Sequence, residues 1–314
     1  MGTLHLQQEV GRLRSQTSCC IIGDVNIDYV TDLSHLAINS EMNACIYNPI
    51  MSSVGGNSVF FAEAACEAGF QSVAVVCSIG DDIGGLRARE HLQKLGVAVH
   101  VIPSARPTGQ VVILYQPGDR RIMVADRGAN RDFGVLEPRM LSELVDTSHF
   151  LYVSGYMLLN QDQCAAVHIT SQAFRRGNAK ILVDMVPHDV WQTHSWEDYV
   201  EMCSFADCVA VEMSTVSAFH KGALDVLQPR DAVQLLLKDF ELCLIRINEA
   251  SDFIVADRSR QRAFTVPYRR TVASLRFTDR IIACVMRQYI EDAALLFESN
   301  AWLEKAIRVV GGDG

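Results

Sequence analysis

The stretch from Val272 to Met286, VASLRFTDRIIACVM, reads as a short turn that leads into an apolar helix with one aspartate near its start. Asp279 lies where this predicted helix begins, at the positive end of the helix dipole, a position that favours a carboxylate and that also binds phosphate groups. An aspartate in a first helical turn also stabilises the helix as a cap. Asp279 is therefore a candidate for phosphate chemistry, with helix capping as the alternative.

A second set of polar residues follows the first apolar run of the chain. The run from Ser18 to Gly23, SCCIIG, predicts a buried parallel strand, and Asp24, Asn26 and Asp28 follow it at alternate positions. Alternate residues of an extended segment share one face, so Asn26 and Asp28 are predicted to point into one cleft. Such a pair can hydrogen-bond the hydroxyl groups of a sugar; the alternative is a polar turn closed by Asx hydrogen bonds.

A glycine pair, Gly55 and Gly56, precedes Asn57 and a helical run from Val59 to Ala68. Glycines at this point let the backbone approach a ligand closely, because no Cβ is in the way. A glycine pair alone is not specific for any one ligand, but it stands at a second strand-to-helix junction. It therefore joins Asn26 and Asp28 as a candidate part of one binding site.

The elements that would position these residues alternate between strand and helix. Apolar strands predicted at 150–154, 180–184, 208–211 and 242–247 alternate with helical patterns, and the chain continues with predicted helices at 277–297 and 300–310. This alternation is typical of a mostly parallel sheet covered on both faces. Strands predicted at 44–51, 108–115 and 121–125 interrupt it and indicate a small sheet that could act as a lid.

Composition and charge exclude several classes of protein. The formal net charge of -9 argues against a nucleic-acid-binding protein that works by neutralising phosphates. The chain has no uncharged hydrophobic run long enough for a transmembrane helix, and its first residues have no apolar signal core. The ten cysteines form no CxxC pair, which predicts buried, reduced thiols. We therefore expect a cytoplasmic protein with no membrane or nucleic-acid partner.

Other catalytic and metal signatures are missing. There is no P-loop, no GxGxxG fingerprint and no recognisable Ser-His-Asp arrangement. His188 and His194 stand six residues apart with no third ligand nearby in the sequence, so we predict packing or surface roles for them and no metal site. Asp184, in the segment LVDMVPHDVW, is predicted to have a structural role in a turn.

Taken in order along the chain, a set of short motifs resembles the ribokinase/PfkB family of sugar and nucleoside kinases. The motifs are GDVNID at 23–28, GGNSVFFAEAACEAG at 55–69, SIGDDIGG at 78–85, PTGQVV at 107–112, RGAN at 127–130 and VSGY at 153–156. The resemblance implies a three-layer α/β/α sandwich with a mostly parallel sheet, in a single domain over 1–314. It also implies a small lid with strands from about 43–52 and 107–126.

The resemblance further implies that ATP, with Mg2+, donates a phosphoryl group to a hydroxyl of a sugar or nucleoside bound beneath the lid. Asp279 aligns with the general base of the family. Asn26, Asp28 and Gly56 align with positions that contact the acceptor, and the same glycine-rich motif adds Gly55, Asn57 and Phe60. Some family members also form dimers through the lid strands, so a homodimer is an expected assembly.

The departures from the family pattern lie mostly at the phosphate and nucleotide positions. The Gly-Ala-Gly before the base is replaced by Arg276, Phe277 and Thr278, although glycine amides are what lets such a turn hold a phosphate. The Asn-x-x-Glu motif is replaced by Glu212 and Thr215. Arg246 and Asn248 replace a Thr-x-Gly at the nucleotide edge, and Phe60 replaces an asparagine of the acceptor site.

Two interpretations follow. In the first, the protein is a divergent kinase in which Arg276 replaces the amides as a charged phosphate ligand and carboxylates such as Glu212 hold magnesium. In the second, it keeps the sugar pocket and the lid but has lost efficient phosphotransfer, and acts as a binding or regulatory pseudokinase. The sequence leaves both open. It also leaves open whether Phe60 stacks on the base or aglycone of the acceptor.

Overall fold

The computed structural model describes residues 17–33, 49–116, 120–186, 189–220, 227–247, 251–266 and 276–311, without the side chains of 120, 121 and 309–311. Its strands are β1 (Ser18–Ile22), β2 (Asn26–Asp32), β3 (Met51–Gly55), β4 (Ser72–Ile79), β5 (Ala98–Pro103), β6 (Gly109–Gln116), β7 (Arg120–Asp126), β8 (Phe150–Ser154), β9 (Lys180–Asp184), β10 (Cys208–Glu212), β11 (Leu242–Arg246), β12 (Asp252–Asp257) and β13 (Gln261–Thr265). Its α-helices are α1 (Asn57–Ala68), α2 (Ile83–Lys94), α3 (Pro138–Thr147), α4 (Gln161–Arg176), α5 (Trp196–Met202), α6 (Met213–Phe219), α7 (Pro229–Leu236), α8 (Phe277–Glu291), α9 (Ala293–Glu298) and α10 (Ala301–Gly311).

The main sheet has nine strands in the order β13-β12-β11-β10-β9-β8-β1-β4-β5. The seven strands β11, β10, β9, β8, β1, β4 and β5 are parallel, and β12 and β13 add an antiparallel hairpin at one edge. The central strands β1 and β8 are buried along their whole length, as expected of strands covered on both faces. The predicted α/β class with a mostly parallel sheet is confirmed.

Two hydrophobic layers enclose this sheet. On one face, side chains of α1, α8 and α10 pack against alternate residues of the strands, such as Ile21, Tyr152 and Leu244. On the other face, α3, α4, α5 and α7 pack against the intervening residues, such as Ile22 and Val153. Since neighbouring strand residues point to opposite faces, the continuous apolar runs of the sequence are what both layers require.

The second sheet has four strands in the order β3-β2-β6-β7. Strand β2 follows β1 after the short segment 23–25, so Asn26 and Asp28 lie where the chain passes from the large sheet to the small one. Strands β6 and β7 agree with the prediction. Most of the strand predicted at 44–51 lies outside the described residues, and the strand seen there, Met51–Gly55, runs further toward the glycine pair than predicted.

The C-terminal helical region differs from the prediction of one helix over 277–297. Helix α8 ends at Glu291, and Asp292 adopts an extended conformation and caps α9 by accepting hydrogen bonds from the amides of Ala294 and Leu295. An aspartate in this role competes with continued helix, which is why the chain breaks there. None of the helices described is both long and apolar enough to cross a membrane. The nine described cysteines are free thiols, and most are buried.

Candidate active site

The predicted site residues gather at the carboxyl edge of the parallel strands. Asp184 ends β9, Glu212 ends β10 and Arg246 ends β11, with Glu212 and Arg246 directly paired in register. Helix α8 begins beside them, and Arg246 donates a hydrogen bond to Thr278 in the first turn of this helix. Ligands of open α/β sheets bind at this edge. The structure therefore brings the C-terminal site residues to one place in the fold.

Asp279 lies in the first turn of α8 and is 7% exposed. Burial, together with the nearby carboxylates of Asp184 and Glu63, raises its pKa well above the usual range, whereas the Arg276 guanidinium opposes the shift. The Asp279 carboxylate also interacts with its own backbone N–H, as a capping residue would. Capping and a chemical role are therefore compatible, since one oxygen can serve each purpose.

Asp184 stands next to Asp279 and is tied to the core. The Tyr152 hydroxyl donates a 3.0 Å hydrogen bond to Oδ2 of Asp184, and the ring of Tyr152 stacks on Phe61 of α1 with centroids 3.9 Å apart. Burial raises the pKa of Asp184 to about 7, against the effect of the Tyr152 hydrogen bond. The sequence predicted only a turn role for Asp184 and gave no sign that Tyr152 would bind its carboxylate.

Asp28 and Asn26 form the acceptor side of the candidate site. Asp28 is 4% exposed, and its carboxyl group lies over Gly55, where any Cβ would overlap it. Burial raises the pKa of Asp28 to about 6, and Arg276 opposes this. The side-chain oxygen of Asn26 accepts a 2.9 Å hydrogen bond from Asn130. Asn26 is thus held by the protein, while Asp28 faces Arg276.

Gly56 shows why the glycine pair stands at this junction. Its φ of 98° lies in the region that favours glycine, and a Cβ there would overlap the carbonyl of Asp24. The same residue is the N-cap of α1. Asn57 begins that helix and interacts with the Tyr152 hydroxyl. Close backbone packing therefore requires Gly56, and the Asp28 side chain requires Gly55, whatever their role toward a ligand.

A buried ion pair braces this region. Nε and Nη2 of Arg127 donate hydrogen bonds of 3.1 and 2.8 Å to the two carboxylate oxygens of Asp24, and Nη1 donates to Gln163 of α4 at 3.2 Å. Asp24 and the RGAN motif were both singled out in the sequence, but their pairing was not. A side-chain contact between residues 103 positions apart leaves no periodic signal in a single sequence.

Arg276, which the kinase interpretation predicts to be a phosphate ligand, contacts two residues of α1 in the structure. Its Nη1 is 2.6 Å from Oε2 of Glu63 in α1, and its guanidinium lies over the ring of Phe60, 5.3 Å from the centroid. Glu63 is also 2.7 Å from Nε2 of His91 through its other oxygen. Arg276 is therefore held on the acceptor side of Asp279. It also covers a face of Phe60, which leaves that face unable to stack on a base.

Sequence reasoning missed Glu63 altogether. It lies in the middle of the apolar run VFFAEAACEA, and its side chain is 7% exposed. A single acidic residue inside an apolar helix is the signal that could have found it, because a buried carboxylate needs partners. The two partners, His91 and Arg276, could not be chosen from the sequence.

The predicted nucleotide residues form a second network. Nη1 of Arg246 donates 3.0 Å hydrogen bonds to Oε1 of Glu212 and to the hydroxyl of Thr278, and its guanidinium lies 5.9 Å from the ring centroid of Phe277. Asn248 lies outside the described residues. Throughout the described part of the chain, no group of three or more acidic, histidine or cysteine side chains is arranged to hold a metal ion.

Comparisons with known proteins agree with this architecture. The model of the pfkB family of carbohydrate kinases matches residues 16–238. Adenosine kinase from Sinorhizobium meliloti superposes with a TM-score of 0.75 at 16% identity, over 95% of this chain and 94% of that one. Ribokinase from Giardia lamblia superposes with a TM-score of 0.68 at 16% identity, over 94% and 91%.

A third similar structure is adenosine kinase from Schistosoma mansoni in complex with 2-fluoroadenosine, with a TM-score of 0.75 at 15% identity over 93% of this chain and 94% of that one. No curated protein sequence matches the chain. At these identities, the structural likeness establishes the fold and leaves the roles of individual residues to the geometry of the site.

Proposed function

Because the chain belongs to the pfkB family of carbohydrate kinases, we propose that it transfers a phosphoryl group from ATP to a hydroxyl of a sugar or nucleoside, with Asp279 as the general base. The observation that carries this proposal is the grouping of Asp279 with the acceptor-side carboxylate Asp28 around one guanidinium, Arg276. A hydroxyl bound by Asp28 would lie within the same group of side chains as the base.

The acceptor half of the site supports this role. Asp28 offers carboxylate oxygens to hydroxyl donors, Asn26 is oriented by Asn130, and Gly55 leaves room for the Asp28 carboxyl group. Carboxylate and amide groups are what a polyol needs for hydrogen bonding. We assign acceptor binding to Asn26, Asp28, Gly55, Gly56 and Asn57. The Asn57 side chain is held by its hydrogen bond to the Tyr152 hydroxyl.

The electrostatics of Asp279 also suit a general base. Burial and the Asp184 carboxylate raise the pKa of Asp279, and a carboxylate with a raised pKa is a better acceptor for the proton of a hydroxyl. Arg276 opposes this shift and favours the ionised carboxylate that a base must be. The balance between Asp184 and Arg276 therefore sets the pH range in which Asp279 can accept a proton.

Kinases of this family use ATP, generally with Mg2+. The residues that fit its phosphates are the first-turn amides of α8, which the N-cap residue Arg276 does not cap with its side chain, and Arg246 beside Thr278. ATP would supply the transferred phosphoryl group. We assign no side chain to Mg2+, because the Glu212 carboxylate is engaged by Arg246.

A second candidate function is ligand binding without phosphotransfer. Two observations favour it: Arg246 already joins Glu212 to the start of α8, and Arg276 is held by Glu63 on the acceptor side. In this interpretation, the nucleotide half of the site is filled by the side chains of the protein, and the acceptor half alone binds a small molecule.

We also propose that two copies pair through the lid. The lid sheet exposes several large apolar side chains, and exposed apolar patches commonly mark contact surfaces. These side chains are Met51, Val112, Ile122, Met123 and Val124. Val112, Ile122 and Val124 lie on one face of the lid sheet, and Met51 and Met123 lie on the other. Sedimentation of the protein with Val124→Lys, compared with the unaltered protein, tests this assembly, since a charge on a shared apolar surface should favour the monomer.

Calorimetric titration with ATP and Mg2+, with and without a pool of sugars and nucleosides, separates the two candidate functions. Magnesium-dependent ATP binding supports the kinase, and a phosphotransfer screen follows. Binding of a sugar or nucleoside with no nucleotide binding supports the second candidate.

The Asp279→Asn substitution tests the role of the base. Turnover should fall by about a hundredfold or more, while the affinity for the acceptor changes little, because only the proton acceptor is removed. The matched control is Asp162→Asn, which changes an exposed aspartate in the first turn of α4 and should leave both unchanged. If acceptor affinity and folding stability both fall along with turnover, Asp279 is instead a structural cap.

A further inference from the structure

A chain of polar contacts joins three helices and ends at the candidate site. His91 lies in α2, Glu63 lies in α1, and Arg276 is the N-cap residue of α8. Nε2 of His91 is 2.7 Å from Oε1 of Glu63, and Oε2 of Glu63 is 2.6 Å from Nη1 of Arg276. Glu63 therefore uses one carboxylate oxygen for each neighbour.

The two contacts of Glu63 differ in kind. A carboxylate only accepts hydrogen bonds, so Nε2 of His91 donates to Oε1. Oε2 is buried as well, but the described residues give it no aligned hydrogen bond, although Nη1 of Arg276 is close. The attraction between Glu63 and Arg276 is therefore mainly one of charge, which depends on distance far more than on angle. The direction of the Glu63 carboxylate comes from its hydrogen bond with His91.

His91 can fix that direction because α2 is fastened to the lid at two points. At the start of α2, the Asp82 carboxylate accepts hydrogen bonds of 2.8 and 2.7 Å from the amide and the hydroxyl of Thr108, just before β6. One turn before His91, the Arg87 guanidinium donates two 3.2 Å hydrogen bonds to Ser52 of β3. A side chain on an element held in this way is a suitable support for a site residue.

Arg276 acts on both parts of the proposed reaction. Its guanidinium lies over the ring of Phe60, 5.3 Å from the centroid. From there its charge counteracts the rise that burial causes in the pKa of Asp28 and in that of Asp279. A displaced Arg276 would therefore change the charge balance at the acceptor carboxylate and at the proposed base together.

We propose that His91 is a positioning residue of the acceptor site: through the Glu63 carboxylate, it holds the Arg276 guanidinium against Phe60. The inference rests on the proposed function for the role of Arg276 toward the acceptor. It adds to that function a residue of α2 that lies outside the family motifs.

The test is the rate at which phenylglyoxal modifies Arg276, followed by mass spectrometry of the folded protein without ATP or acceptor. The Arg276 side chain is 34% exposed, so the reagent can reach it, and a guanidinium held by a carboxylate reacts more slowly than a free one. His91→Asn leaves an amide too short to reach Glu63. Modification of Arg276 should become about fivefold faster or more, because the hydrogen bond that orients a charged group is lost.

His91→Gln is the matched variant, because its longer side chain places an amide nitrogen where Nε2 stood. It should keep the rate within about twofold of that of the unaltered protein. The control for general loosening is His168→Asn, which removes a 3.0 Å contact between Nε2 and the Met202 carbonyl on the other face of the sheet and should leave the Arg276 rate unchanged.

A double variant tests whether His91 acts through Glu63. Glu63→Gln should itself speed the modification of Arg276, and adding His91→Asn should then change the rate by no more than about twofold. Thermal unfolding of each variant confirms that it is folded, and His91→Ser replaces His91→Asn if the latter is not.

The outcomes separate this inference from the proposed function. An unchanged rate in His91→Asn overturns it, as does an equal increase in His91→Gln or in His168→Asn, or an increase that persists in the Glu63→Gln background. Since neither ATP nor acceptor is present, the expected pattern in a protein that transfers no phosphate supports the inference while the kinase proposal fails. Phosphate transfer without these rate changes overturns the inference and leaves the kinase proposal standing.

Discussion

The contact between Glu63 and Arg276 gives the sharpest prediction about how the site is built. Glu63→Gln keeps the shape of the side chain and removes its charge. Removing one partner of a fully buried ion pair typically costs about 3–5 kcal/mol. The Glu63 side chain is 7% exposed, but those of Arg276 and His91 are each 34% exposed. Water can therefore solvate the cations that remain, and we expect about 2 kcal/mol of lost stability.

The assay is urea unfolding of four proteins: the unaltered chain, Glu63→Gln, Arg276→Gln and the double variant. If the two side chains stabilise each other directly, the effects are not additive, and the coupling free energy should be about 1 kcal/mol or more. The surface control is Glu90→Gln, which alters an exposed side chain of α2 and should change stability by no more than about 0.5 kcal/mol.

Two results would refute this reasoning. If Glu63→Gln costs no more than Glu90→Gln, the Glu63 carboxylate is not held in a buried ion pair. If the single effects of Glu63→Gln and Arg276→Gln simply add, the pair does not position Arg276. In that second case, the placement of Arg276 on the acceptor side would have to come from its contact with Phe60.

Two further predictions concern buried carboxylates. Because burial raises the pKa of Asp184 to about 7 in the folded protein, the folded state binds the proton more tightly than the unfolded one, and stability must fall as pH rises from about 4 to about 7. Asp184→Asn should therefore increase stability at about pH 8 by about 2 kcal/mol, below the upper bound of about 4 kcal/mol set by the shift in the pKa of Asp184. At about pH 4 the substitution should have little effect on stability. Urea unfolding at both pH values measures this, and a gain in stability at low pH alone would contradict it. Arg127→Met should cost about 3 kcal/mol, because it leaves the buried Asp24 carboxylate without its bidentate partner. Its control, Arg131→Met, removes an exposed pair and should cost about 0.5 kcal/mol or less, so equal losses in the two variants would show that burial of Asp24 does not matter.

The fold could be predicted from the sequence because its signals are local. Continuous apolar strands such as Ser18–Ile22 and the alternation of strands with amphipathic helices both follow from burial on the two faces of a sheet. The break between α8 and α9 was missed because Asp292 lies in a segment with an uninterrupted helical pattern. Only its side-chain hydrogen bonds show that it caps a new helix.

The candidate site could be predicted only in part. The positions of Asn26, Asp28 and Asp279 in the fold could be predicted, because they follow from strand alternation and from the start of a helix. The pairs Asp24–Arg127 and Glu63–Arg276 were not found. Each joins side chains far apart in the sequence, and the choice among many possible partners depends on three-dimensional packing. Local rules therefore place single residues at strand ends and helix starts, but they do not give the contact between Arg276 and Glu63.

The positions at which this chain departs from the family pattern are not scattered in space. Arg276 and Phe60, which replace a glycine and an asparagine, contact each other on the acceptor side. Arg246 and Thr278, two more replacements, are hydrogen-bonded on the nucleotide side, with Glu212 as the third member. Replacements that only weakened a phosphate site would have no reason to contact one another.

The grouping of the replacements into two connected networks has a consequence for function. A guanidinium placed near the start of α8 without a carboxylate would repel the positive end of the helix dipole, and Glu63 and Glu212 remove that cost for Arg276 and Arg246. The two networks therefore form a stable alternative to the glycine turn. If the kinase proposal holds, phosphate must bind in competition with these carboxylates, so ATP affinity should rise in Glu212→Gln, which releases a guanidinium donor toward the start of α8. Titration with ATP and Mg2+ measures this, and an unchanged or weaker affinity in Glu212→Gln would show that the Arg246 network is not in the path of the phosphates.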